Sequence, residues 1–206
     1  MAIASDIITK FELFMDDSTD LSSQEELDLL NKIIQEVASS RVWQFLLKEY
    51  TGVQSTTNDY IELPTDFAYL TDNNNHTDSS YEASRPVIFV DNDPLKVISY
   101  QDRRSHKDED GYAYIDIAQN RLVFTKQPST AGAVSYDYSY VPADIAIDGT
   151  LPFPDRFKAL FYHFMCVDDF IIQQSDKAKS YAGENLARGQ RVLDQMIWWN
   201  SQLIQL

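Results

Sequence analysis

The sequence predicts an α+β fold: a helical bundle formed by the N- and C-terminal helices, with an antiparallel β region inserted between them. Three observations lead there. Apolar residues recur at helical spacing up to Tyr50 and again beyond Pro154, while the stretch between them is β-rich and punctuated by Pro, Gly, Asn and Asp. No Gly/Ser linker long enough to free one half from the other is present. The chain therefore divides into residues 1–52, the N-terminal helices, residues 53–142, the inserted β region, and residues 143–206, a C-terminal helical hairpin.

The first helix is predicted over Ala2 to Met15, where Ile3, Ile7, Ile8, Phe11, Phe14 and Met15 share a face, and Asp16-Asp17-Ser18-Thr19-Asp20 ends it. Ser22-Ser23-Gln24-Glu25-Glu26 then offers a capping box to either serine. Leu27, Leu30, Ile33, Ile34, Val37, Val42, Phe45, Leu46 and Tyr50 extend the period, predicting a helix of roughly 28 residues, on the order of 40 Å long. After Gly52, strands are predicted near Tyr60 to Leu63, Phe67 to Thr71, Pro86 to Val90, Leu95 to Tyr100, Tyr112 to Ile117, Arg121 to Lys126 and Val134 to Tyr140. Ala118-Gln119-Asn120 and Pro128 to Gly132 read as hairpin connections, making the last three strands an antiparallel meander. Tyr136, Tyr138 and Tyr140 fall on one face of the last strand. Pro152 and Pro154 announce a helix through Phe161, Phe164 and Ile171, and a second follows Ser175-Asp176. Its small residues Ala178, Ala182, Gly183, Ala187 and Gly189 would let a neighbouring helix come close.

Composition narrows the function. The 206 residues carry 32 acids against 17 bases, a formal charge of -15. Such a surface repels phosphate backbones, which argues against conventional nucleic-acid binding. A mean hydropathy of -0.35 with 44% hydrophobic residues argues for a folded, soluble chain and against a membrane span. Met1 to Met15 lacks a basic start and an unbroken apolar run, so no secretion signal is expected. A single cysteine, Cys166, supplies neither an internal disulfide nor a thiolate zinc site.

The usual catalytic constellations are absent from the sequence. There is no Gly-x-Ser-x-Gly, His-Glu-x-x-His, Gly-x-x-x-x-Gly-Lys or Gly-x-Gly-x-x-Gly, and the three histidines, His76, His106 and His163, share no motif. Asp72 to Asp78 is oxygen-rich but lacks the sixth-position glycine of a calcium loop and has Ala83 where its closing glutamate belongs. Asn75-His76-Thr77 fits a glycosylation sequon, which without secretion is accidental. Asp168 and Asp169 point about 100 degrees apart on a helix and so make a poor proton-sharing pair. No cofactor and no enzymatic activity are expected.

Two features stand out on packing grounds. Arg41 interrupts the apolar stripe of Ile34, Val37 and Phe45, and Asp168 interrupts that of Phe161, Phe164 and Ile171. Either the two pair within the bundle, or each sits at its stripe's edge and reaches water. The sequence closes on Ile197-Trp198-Trp199-Asn200-Ser201-Gln202-Leu203-Ile204-Gln205-Leu206. Adjacent tryptophans diverge by about 100 degrees on a helix, so burying both in one core is hard. Trp198, Trp199, Leu203, Ile204 and Leu206 are therefore candidates for docking another chain, with packing back on the same subunit as the alternative.

Trp43-Gln44-Phe45-Leu46, Tyr60-Ile61-Glu62-Leu63-Pro64-Thr65-Asp66-Phe67, Tyr138-Ser139-Tyr140-Val141-Pro142 and Leu151-Pro152, with helices at both ends, lie in an order that resembles the head-to-tail adaptor proteins of tailed bacteriophages. These include the tail tubular protein A adaptors of short-tailed phages. The resemblance implies a non-enzymatic virion component of the neck, present in the host cytoplasm during assembly. It implies a homo-oligomeric ring, usually a dodecamer, between the portal protein and a downstream tail protein, nozzle or stopper. Double-stranded DNA would pass non-specifically through the centre, and no membrane is involved. It also implies that Trp198 to Leu206 insert into the portal, and an acidic channel wall would then keep the genome from sticking. The alternatives are a carbohydrate- or receptor-binding tail module using the tyrosine-rich strands, a cell-wall-degrading enzyme, and another ring component of the neck.

Overall fold

The computed structural model describes residues 2–15, 21–71, 87–173 and 176–203. The predicted loop at Asp72 to Asp78 and its sequon lie outside them, as do Ile204 and Leu206. The fold is α+β, with four α-helices and an eight-stranded sheet among the described residues. The chain separates into two compact units, one of residues 1–46 with 141–206, the other of residues 47–140.

The first unit holds α1 (Ala4–Met15), α2 (Ser23–Ser39), α3 (Ala159–Gln173) and α4 (Asp176–Leu203). α3 packs against each of the other three. Of the two serines that could cap α2, Ser22 does so. Its hydroxyl accepts from the Glu25 amide at 3.4 Å, while the Ser22 amide donates to Glu25 Oε2 at 2.8 Å. α2 then stops at Ser39, well short of the predicted end near Tyr50. The Trp43 ring folds back beneath it, fully buried, and its Nε1–H donates to the Val37 carbonyl at 2.8 Å. This satisfies one of the carbonyls a helix end leaves open. The N-terminus is stitched to the returning chain by Ala4 N–H to Gly149 O and Leu151 N–H to Ala2 O, each 2.9 Å.

Of the two glycines on α4, Gly189 admits a close neighbour, since a Cβ there would lie 2.5 Å from the Phe164 ring. Gly183 faces open space.

The second unit is a sheet of β1 (Leu47–Gln54), β2 (Tyr60–Glu62), β3 (Phe67–Leu70), β4 (Val87–Val90), β5 (Asp93–Val97), β6 (Tyr112–Asp116), β7 (Arg121–Phe124) and β8 (Gly132–Tyr140). The order is β1-β8-β4-β5-β6-β7-β2, with β3 also paired to β8. The first half of β1, Leu47 to Tyr50, occupies sequence predicted to be helical, and the strand pairs Leu47 with Ser139 through to Gln54 with Gly132. Two further expectations are corrected. β6 and β7 form the predicted hairpin, closed by Asn120 in the left-handed region at φ 53°, but β8 leaves β7 and pairs with β1, β3 and β4 instead of completing a meander. The sheet is also mixed, because β5 and β6 run parallel. Asp91 and Asn92, at φ 50° and 70°, make the tight β4–β5 turn that Asp and Asn tolerate.

Along β8, Val134, Tyr136 and Tyr138 point into the core. Tyr136 stacks on Tyr50 at 4.7 Å, and the Tyr138 hydroxyl donates to Asp66 Oδ1 at 3.0 Å.

Candidate docking surface

Three asparagines that the sequence reading passed over are buried in the helical unit: Asn31, Asn185 and Asn200. A carboxamide carries the same donor and acceptor as a peptide group, so it can grip a stretch of chain that has no strand partner. Asn31 does this to the returning segment, accepting from Ile145 N–H at 2.9 Å and donating to Ile145 O at 3.1 Å. Asn200 does it to the segment after α2, accepting from Gln44 N–H at 2.8 Å and donating to Val42 O at 3.1 Å.

The Asn200 clamp fixes the rotation of the last turns of α4. Trp199 is directed inward, against Phe45 at 5.9 Å and Phe157 at 5.6 Å, with the Arg156 guanidinium 4.0 Å from its ring centroid. Trp198, one position earlier, is turned outward and is 65% exposed. Leu203 is half-buried where α4 ends. The structure thus separates the predicted docking residues. Trp199 serves the unit's own packing, and Trp198 is a large rigid apolar surface left in water.

The Arg41–Asp168 pairing is replaced by another. Asp168 accepts from Lys32 Nζ at 3.0 Å, across from α3 to α2, and Arg41 lies exposed at 5.4 Å from the Trp43 ring centroid. The pairing was expected from a helical stripe that included Arg41, and α2 has already ended at Ser39. Asp169, beside it, is buried, as is Glu26 on α2. Burial, reinforced by the charges of Glu12 and Asp169, holds the Glu26 carboxyl above its ordinary range.

Two groups of this unit that could do chemistry, His163 and Cys166, are buried. His163 is buried, and its Nδ1–H donates to Asn185 Oδ1 at 2.8 Å, while Asn185 Nδ2 donates to Tyr181 O at 3.1 Å. Burial pushes the imidazole below its ordinary pKa, which favours the neutral ring. Burial raises the Cys166 thiol to about 12, which leaves no useful thiolate. Among the described residues no group of three His, Cys, Asp or Glu is placed to hold a metal ion, and no helix is long and apolar enough to cross a membrane.

A family model described as SU10 adaptor protein matches residues 3–205. No curated protein matches the chain.

Proposed function

The chain belongs to the SU10 adaptor protein family, a family of bacteriophage structural adaptors, and on that premise we propose that it couples the portal to the tail as a non-enzymatic ring in the virion neck. The family match over residues 3–205 is the observation that carries the reading. In this proposal the four helices of the first unit act as one bundle, and copies assemble into a closed ring, a dodecamer by resemblance. DNA passes through the centre without sequence-specific contact. The net charge of -15 favours that passage, because a wall of like sign offers no run of phosphate contacts to hold the genome.

Portal docking is assigned to the end of α4 and the residues beyond it. Trp198 is the anchor, with Leu203, Ile204 and Leu206 following and Trp199 and Asn200 bracing the turn from beneath. A desolvated tryptophan anchor is worth about 2 kcal/mol or more at an interface, roughly a thirtyfold change in affinity. The sheet unit is the part proposed to meet the tail side. Tyr136 and Tyr138, which a sugar-binding module would need on its surface, are buried, and this favours the adaptor reading over that one.

The test mixes purified protein with portal particles and images the product by electron microscopy. Rings capping the portal are expected with the natural sequence, and Trp198→Ala should weaken capping by about thirtyfold. Equal capping by W198A refutes the docking assignment, and failure of the natural chain to engage portal refutes the adaptor reading.

A further inference from the structure

In a chain with 17 bases among 32 acids, Arg103, Arg104 and Lys107 crowd three cations into one loop of the sheet unit. Elsewhere in that unit Lys48, Arg121 and Lys126 each lie within ion-pair distance of a carboxylate. Among the described residues, none of the three loop cations has such a partner. They border a hollow of about 400 Å³, lined also by Tyr114, Thr125 and Gln127. Two carboxylates, Asp59 and Asp108, face the same hollow.

The loop is braced at both ends. On one side Ser99 Oγ donates to Asp102 Oδ2 at 2.8 Å, and the Arg103 guanidinium sits 3.7 Å from the Tyr100 ring centroid while donating to Tyr100 O at 2.5 Å. Tyr100 in turn meets Tyr114 edge-on at 5.7 Å. On the other side Asp108 N–H donates to Thr125 O at 3.0 Å, and Thr125 Oγ1 donates to Glu109 O at 2.7 Å. Arg104 and Lys107 stand exposed between these braces. Arg103 is already engaged by Tyr100, whereas Arg104 and Lys107 have no carboxylate within ion-pair distance among the described residues, so an incoming anion could make a pairing that the fold leaves unmade.

We propose that this hollow receives a carboxylate-rich segment of another polypeptide. Asp59 and Asp108 argue for a polypeptide over DNA. A duplex presents phosphates at fixed close spacing and would press some of them against those two carboxylates, whereas acidic side chains can be spaced to meet the cations alone. Tyr114, Thr125 and Gln127 add hydrogen-bonding groups suited to peptide amides. The site lies in the sheet unit and is independent of docking through Trp198.

Binding of fluorescein-labelled polyglutamate to the full chain, read by anisotropy, provides the test, with labelled duplex DNA as the competing probe. Lys107→Glu should weaken polyglutamate binding by about tenfold or more. Lys96→Glu makes the same change in net charge at an exposed position of β5 outside the hollow, and should weaken binding less than about threefold. The neutral double variant Arg104→Gln with Lys107→Gln serves if the reversed charge disturbs folding, and it too should lose at least about tenfold. Equal losses in K107E and K96E, tighter binding of DNA than of polyglutamate, or no polyglutamate binding at all would overturn the proposal.

Discussion

Alanine at two glycines of α4 should change stability by different amounts, and the difference between them isolates one helix–helix contact. Both substitutions gain about 1 kcal/mol in helix propensity. At Gly183 a Cβ meets nothing within 4 Å, so the gain stands alone. At Gly189 the new Cβ would lie 2.5 Å from Phe164 Cε1, 2.7 Å from Phe164 Cδ1 and 3.5 Å from His163 Cβ. Carbon atoms pack at about 3.5–4.0 Å, so α4 or the Phe164 ring must yield by about 1 Å. Overpacking of this kind costs about 1–3 kcal/mol. The Phe164 side chain is half-buried and can swing, which places the cost toward the low end of that range. Since propensity cancels between the two variants, G183A should exceed G189A in stability by about 1–2 kcal/mol. Urea unfolding followed by tryptophan fluorescence reports the helical unit alone, because Trp43, Trp198 and Trp199 all belong to it. With a slope of about 1–3 kcal/mol per molar, the midpoints should separate by about 1 M. A G189A midpoint equal to or above that of G183A would refute the close approach.

Three further outcomes are expected. Asn200→Ala strands the Gln44 amide and the Val42 carbonyl and should cost about 2 kcal/mol in the same urea assay, with Trp199 emission shifted to the red. Glu26, whose folded pKa lies above its ordinary value of 4.5, binds its proton more tightly folded than unfolded. Its contribution to stability is therefore greatest below that ordinary value, falls as pH rises through the raised value, and is flat beyond it. Glu26→Gln should remove this slope, which subtracting the urea midpoints of the two proteins across about pH 4 to 8 will reveal, and a constant difference would contradict the shift. Cys166, with its thiol near 12, has a thiolate fraction of roughly one in ten thousand at about pH 8, so Ellman's reagent should label it only after unfolding.

The helices were legible because their signals are local. The Ser22–Glu25 box, the Ile7–Phe11 stripe and the prolines ahead of α3 all act within a few positions of the residues they organise. β1 was hidden for the same reason. Val42, Phe45, Leu46 and Tyr50 keep a helical interval, but Trp43 and Leu46 are placed by burial in the helical unit, whereas Tyr50 is placed by stacking on Tyr136. Two different cores imitate one period. The departure of β8 from β7 depends on pairing with β1 and β4, which no hairpin signal encodes. In the docking surface, the divergence of Trp198 and Trp199 followed from helical geometry. Which one faces out depends on Phe45, Phe157 and Asn200's hold on Gln44, contacts distant along the chain. Asparagine ordinarily signals a turn, so its use as a buried clamp left no trace in the pattern.

The sheet unit enters at Leu47 and leaves at Tyr140, and the register of β1 on β8 sets Leu47 opposite Ser139. Its two tethers therefore emerge side by side. For the helical unit this shortens the gap to be closed from roughly 90 residues to a handful, a saving of about 3 kcal/mol in closure entropy. An early-folding sheet would act as a clasp that brings the two halves of the helical unit within reach. Swapping it for a short turn should leave a helical core that still assembles, and weakening the β1–β8 ladder should slow maturation of helices that contain none of the altered residues.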